Sequence, residues 1–307
     1  MDVLVTVVPV VLMLVLGKVL SMKQMISKET VTGIKGLISD IMLPVVIFNA
    51  LLTASFDRRS FTLSLVVYAL FSVFFFAGRA LFKDKFNFSM SPFLLIGCEG
   101  GMLGYSLYTS LYGAEALSTL MELDLGNILF AFTFFIVTIQ MANSDNNDTK
   151  AVIINSLKSP LVSVVAAGLI LNVLGFGSML MASKIGVLYS ALVSMITSPL
   201  TALILLCVGY ELSFEADLMG DVVKVSVIRM VMSGIIGALL LFVARPLIIS
   251  RALFVAVLLY VCLPPQFITP IFIKDDREAQ FAATTLSFYT VVTIIAYICI
   301  AAFVPLV

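Results

Sequence analysis

The segment Ile96-Gly97-Cys98-Glu99-Gly100-Gly101-Met102-Leu103-Gly104-Tyr105-Ser106 sets one acid among four glycines, near the middle of a long apolar run. Each glycine weakens a helix by up to about 1 kcal/mol relative to alanine. An ionised acid at bilayer depth is costlier still unless it is paired, hydrated or protonated. Close helix packing would account for the glycines alone; Glu99 turns the balance toward a functional site. Further on, Leu263-Pro264-Pro265-Gln266 removes two backbone donors and crowds the preceding turn. A simple kink is the plain reading, but Gln266 and Thr269 close behind favour a break that lines a cavity.

Two such breaks would expose half-helix ends. N-terminal ends carry partial positive charge and free N–H groups suited to a carboxylate, whereas C-terminal ends offer carbonyls to a cation or proton donor. No Lys or Arg is expected at mid-span depth, so an anion would rely on these dipoles and ionised Glu99 would repel it. Glu99 is therefore read as a proton acceptor whose protonation admits an anion, or as a cation ligand. The candidate binding set is Glu99, Gly100, Gly101, Gly104 and Tyr105 from one break, Pro264, Pro265 and Gln266 from the other, and Asn49. Asp40 stands second to Glu99 for ion coupling, although Lys35 about a turn away makes a snorkelling surface pair its simpler explanation. Asn49 has a helix–helix hydrogen bond as its default role. Gln140 and Glu211 are lesser candidates, Glu211 at the interface. The sequons Asn87-Phe88-Ser89 and Asn147-Asp148-Thr149 fall on the predicted cytoplasmic side and are set aside.

The elements that must position these residues are membrane helices. The 307 residues are 61% apolar and 12% charged, against about 45–50% and 25% for a soluble chain. An excess that large has to face lipid. Apolar runs predict spans at 3–21, 34–55, 61–82, 92–112, 125–142, 151–174, 183–210, 222–244, 252–272 and 279–303. The first is expected to be a retained helix, since it lacks a basic leader and an A-x-A site. The polar stretch 143–150 (NSDNNDTK) separates repeats at 1–142 and 151–307. With five spans in each half, the second half enters from the opposite side and any repeat is inverted. Loops after odd-numbered spans hold 13 Lys and Arg against 5 on the other side, which together make the 18 present. The positive-inside bias then puts both termini outside the cytoplasm. Zero net charge gives no basic field for nucleic acid. Cys98, Cys207, Cys262 and Cys299 read as small buried hydrophobes, and the absence of His leaves proton chemistry to carboxylates.

The halves also resemble each other weakly. LISDIMLPVVIFNAL in span two matches LVSMITSPLTALILL in span seven through Pro44 and Pro199, and the two interrupted spans, four and nine, hold corresponding places. The whole chain resembles the auxin efflux carrier family, which includes plant PIN transporters and bacterial permeases for malate and malonate. The likeness rests on Leu43, Pro44 and Phe48, on Gly101, Gly104, Tyr112 and Gly113, on Pro199 with Gly209-Tyr210-Glu211-Leu212, and on Leu263-Pro264-Pro265. It implies an all-α fold of ten transmembrane helices in a five-plus-five inverted repeat, with helices four and nine broken and crossing at the substrate site. It implies a scaffold of helices 1, 2, 6 and 7, a moving domain of helices 3–5 and 8–10, and commonly a homodimer. The family's substrate-contacting Asn on the fourth helix is Glu99 here and its Pro is Ser106, which brings proton coupling or a different substrate charge to that position.

The expectation is a secondary transporter of a small organic solute in the cell's inner or plasma membrane, without a cofactor, coupled to H⁺ or Na⁺. Sodium-coupled bile-acid-type symporters share the implied architecture and are the nearest alternative. A channel would want polar stripes or rings along a pore, and a receptor would usually bring a soluble sensing domain. An intramembrane enzyme lacks a convincing nucleophile–base pair.

Overall fold

The computed structural model describes residues 3–53, 58–82, 85–142, 160–243, 245–246, 250–267, 269–273 and 275–303. All regular elements among them are helical. The expected linker 143–150 and the start of span six lie outside the described residues. In chain order the elements are α1 (Val3–Met22), α2 (Lys28–Thr53) and α3 (Arg58–Phe82). A short turn, Ser91–Leu94, then precedes α4 (100–112), followed by α5 (114–142) and α6 (Pro160–Val173). A short helix (Phe176–Met181) leads into α7 (Lys184–Glu211) and α8 (Ala216–Val243). Last come α9 (Arg251–Val261), a 3₁₀ turn (Thr269–Phe272) and α10 (Asp276–Phe303).

Six of these, α2, α3, α5, α7, α8 and α10, contain stretches long and apolar enough to cross a membrane. Shorter apolar helices lie at Val8–Met22, Ser163–Val173 and Arg251–Val261. The outward faces carry Leu12, Val73, Val187, Leu188, Met195 and Val231, side chains a water-facing surface of this extent would not display. The protein is a multi-pass helical membrane protein. Cys299 also faces outward, whereas Cys98 and Cys207 are buried as expected.

Two packing groups follow from where the glycines fall. α1 lies along α7, and the second half of α2 lies along α6. A Cβ on Gly17 would stand 2.1 Å from the carbonyl oxygen of Leu206, and one on Gly209 would stand 2.1 Å from that of Leu14. The two backbones therefore touch directly, which only small residues permit. α3 packs on α5 in the same manner, with Gly126 against the backbone of Ser64 and Tyr68. Phe71, Phe75, Phe130 and Phe135 fill the rest of that interface, with edge-to-face and tilted ring pairs. α8 packs against α9 and α10.

Proline shapes two helices. Just before Pro44, α2 widens into a π turn at Ile38–Met42, because the ring of a proline clashes with the carbonyl four residues earlier and donates nothing to it. α7 pauses at Ser198 and Pro199. Lys35 does not pair with Asp40: its Nζ reaches Glu211 at 2.7 Å, tying the start of α2 to the end of α7. Lys18 Nζ donates to the carbonyl of Leu212 at 2.6 Å on the same end of the molecule. The span expected at 125–142 begins near residue 114 instead. Leu117, Leu120, Met121 and Leu123 are buried on either side of Glu122 and carry the helix through it.

Gly209→Ala is expected to lower thermal stability in detergent, with an overpacking cost of about 1–3 kcal/mol. Gly234→Ala on α8 meets nothing within 4 Å and should be neutral or stabilising by up to about 1 kcal/mol, since it only raises helix propensity. Thermal unfolding of both variants beside the parent checks this contrast.

Candidate functional site

The two irregular stretches expected from sequence are irregular, and they meet. Residues 95–99 leave the helix, and Gly97 adopts a φ of 90°, a conformation a side-chain-bearing residue would hold only under strain. A Cβ at this position would also press on the Gln266 amide, 3.2 Å away. Past α9, residues 263–266 are non-helical, because Pro264 and Pro265 have no N–H to continue it. The breaks join at backbone level, where the Glu99 N–H donates to the carbonyl of Pro264 at 2.9 Å. On the side-chain level, Glu99 Oε2 accepts the Phe267 N–H at 2.7 Å.

Arg229, near the middle of α8, is 1% exposed and clamps both breaks from one side. Its Nη1 donates to the carbonyl of Leu94 at 3.1 Å, and its Nη2 to the carbonyls of Gly97 at 2.7 Å and Leu263 at 2.9 Å. The guanidinium also lies over the Tyr289 ring, 5.0 Å from its centroid. A planar cation with five donors suits several carbonyls at once, where an ammonium would serve them poorly.

α5 holds the other side. Asn127 grips Cys98 by both backbone groups, accepting its N–H at 3.3 Å and donating to its carbonyl at 3.0 Å. Asp124, one turn earlier, is 1% exposed. Its carboxylate accepts from Tyr105 of α4, from Tyr260 of α9 at 2.7 Å and from Asn127 at 3.0 Å. Gly100 makes this approach feasible, since a Cβ there would stand 2.2 Å from Asp124 Oδ1. Gln266 Nε2 reaches Asn127 Oδ1 at 3.4 Å, and its own Oε1 is buried without a hydrogen-bond partner.

Glu99, Gly100, Gly104, Tyr105, Pro264 and Gln266 therefore share one crossing, and Pro265 is buried within the same break. Gly104 packs on Leu263, and Gly101 faces Leu43 of α2. The other two candidates lie elsewhere on α2. Asp40 is exposed on the π turn, and Asn49 is half-buried beyond Leu43, its carbonyl accepting from Thr53 Oγ1 at 2.8 Å. The Gln140 side chain lies outside the described residues. Among the described residues, no group of three or more Cys, Asp or Glu could hold a metal ion. An open groove of about 610 Å³ lies between Asn87, Asp221, Asp275 and Glu278.

A charge at mid-span depth, expected to be absent, is present as Arg229. The positive-inside count places it among the interfacial cations, although it lies well inside an apolar run, VSVIRMVMSG. That position was the available signal. Asp124 is missed because the expected span begins just after it, which makes an interior acid look like a loop residue, whereas Asn127 and Tyr260 fall inside expected spans with no spacing that marks them. No protein-family model matches this chain, and no curated protein matches it either.

Arg229→Met should lower stability by about 3 kcal/mol or more, since it leaves buried carbonyls unpaired at roughly 1–3 kcal/mol each. Arg229→Lys should recover only part of that loss. Gly100→Ala should be damaging alone but mild on an Asp124→Ala background, because the second change removes the clashing carboxylate. A double-mutant cycle of thermal stability measures the coupling, and simple additivity of the two effects would refute the contact.

Proposed function

We propose that the chain is a secondary active transporter of a small organic solute, an organic acid, working by elevator-type alternating access and coupled to protons through Glu99. One observation carries this reading: two helices are interrupted at corresponding places in the chain, and the interruptions meet around a half-buried acid. Irregular backbone at membrane depth is tolerated where protein buries it or where it lines a cavity, and transporter sites are built this way.

The packing supports a ten-crossing, five-plus-five inverted repeat of residues 1–142 and 151–307. α1 with α7 and α2 with α6 are pairings that exchange when the halves are swapped, and α3 with α5 corresponds to α8 with α10. The backbone-tight α1–α7 contact suits a fixed scaffold of α1, α2, α6 and α7, against which α3–α5 and α8–α10 would move. The end contacts support an even number of crossings. Asn87 meets Asp221, Glu278 holds the Ser89 N–H, and Lys35 meets Glu211, all between ends assigned to one face. That face holds the larger share of Lys and Arg and is read as cytoplasmic, in an inner or plasma membrane. Arg229 does not serve as the substrate's counter-ion in this reading, because its Nη groups are committed to backbone carbonyls.

Purified protein in liposomes should take up at least one of malate, malonate, indole-3-acetate or an amino acid, faster under an inward proton gradient. Glu99→Gln should abolish the proton dependence. Equal stimulation by sodium alone would shift the reading to a sodium symporter, and an ohmic current without saturable uptake would replace it with a channel.

A further inference from the structure

The Glu99 carboxylate is itself bound as a ligand would be. Its Oε2 accepts a backbone N–H, that of Phe267, in the break of the opposite half. A backbone donor at a helix interruption is the type of group that receives a free carboxylate, and an ionised acceptor makes the bond strong. A Cβ on Gly101 would fall 3.8 Å from Glu99 Oε1 and 3.8 Å from Leu43 Cδ1, in the space between α4 and α2. Glu99 is only partly buried, whereas Asp124 on the other side of Gly100 is sealed.

We infer that Glu99 is a tethered occupant of the carboxylate position and competes with an external carboxylate for the Phe267 N–H. The inference rests on the organic-acid reading above. Two ionised carboxylates about 4 Å apart repel by roughly 4 kcal/mol at an effective dielectric constant near 20, so the ligand enters as Glu99 takes a proton from solution onto its carboxylate oxygen. One proton is bound per carboxylate bound, and the loaded site carries the same charge as the empty one. Below the pH at which Glu99 is fully ionised the requirement fades; above it, affinity falls about tenfold per pH unit.

Among the described residues, most charged and titratable groups on the elements around Glu99 are bonded to partners of their own. Tyr105 and Asp124 are bonded to each other, with Tyr260 and Asn127 completing the Asp124 shell. Arg229 of α8 is held by carbonyls. Cys98 lies in the same break, and Cys262 closes α9. On α2 and α7, Lys35 and Glu211 pair at the end of the molecule, and Asp40 is exposed.

Acetate is the probe, with chloride and methylammonium as comparison ions, and thermal stabilisation of the detergent-solubilised full chain across the neutral range as readout. The wild type should bind acetate with affinity rising about tenfold per unit fall in pH. Glu99→Gln, which keeps an oxygen for Phe267, should lose that slope. Glu99→Ala, which vacates the donor, should bind acetate about tenfold or more tightly than wild type at the alkaline end. A slope that survives Glu99→Gln overturns the proposal, and so does wild-type stabilisation by methylammonium in place of acetate. Should Glu99→Ala fail to fold, the Glu99→Gln slope decides alone. The measurement is separate from flux. Acetate binding with the expected slope in a protein that moves none of the solutes above would keep the tethered carboxylate and remove the transporter reading, and transport without the slope would do the reverse.

Discussion

A backbone that leaves the helix inside a membrane must find partners within the protein, because hydrocarbon offers none and each unpaired group costs several kcal/mol. The structure around residues 94–100 and 262–267 is organised by that requirement. Carbonyls released by the two breaks converge on Arg229, and the Cys98 amide is taken by Asn127. The remaining freed groups satisfy each other across the crossing, Glu99 N–H to Pro264 carbonyl and Phe267 N–H to the Glu99 side chain. Each break is satisfied partly from its own half, Cys98 by Asn127 and Leu263 by Arg229, and partly from the other. Each is the other's hydrogen-bond partner, which fixes them as one unit held between α5 and α8.

The same constraint explains why charged side chains are buried here at all. A guanidinium in a low-dielectric interior is expensive alone, but three carbonyl dipoles and an aromatic face replace much of the water it loses. Asp124 is placed similarly, with two hydroxyls and an amide around one carboxylate. Glycine makes both arrangements sterically open: Gly100 admits the carboxylate, and Gly97 lets the chain turn beside Gln266. Elsewhere glycine serves a different end. At Gly17 and Gly209 it brings two helices into direct backbone contact.

Composition and apolar spacing were enough to read an all-helical membrane chain, since lipid contact leaves a long apolar signal, but not the start of α5, where acids interrupt that signal. The interruptions were legible because proline and clustered glycine act locally. Arg229 and Asp124 were not, for a common reason. A sequence shows that a charge is near an apolar run but not whether partners three helices away receive it. Arg229 draws its acceptors from Leu94, Gly97 and Leu263, far off in sequence. Lys35 illustrates the converse, since its nearest acid along the chain is not its partner in space.

Glu99 and Asp124 flank the same glycine yet stand in different surroundings, and the proposed chemistry rests on this separation. Asp124 is sealed and accepts from three donors on three helices, so removing its carboxyl group would strip bonds from α4, α5 and α9 together. That carboxyl group is part of the framework. Glu99 is partly exposed, and its side chain is seated on a backbone donor of the opposite break. A proton arriving there weakens the bond between Glu99 and Phe267 while Arg229 and Asn127 keep their hold on the breaks. A site that must change its charge without coming apart needs one carboxylate of each kind. Exchanging the two environments, a sealed Glu99 and an exposed Asp124, would leave a crossing that either never releases its own carboxylate or loses its frame when it does.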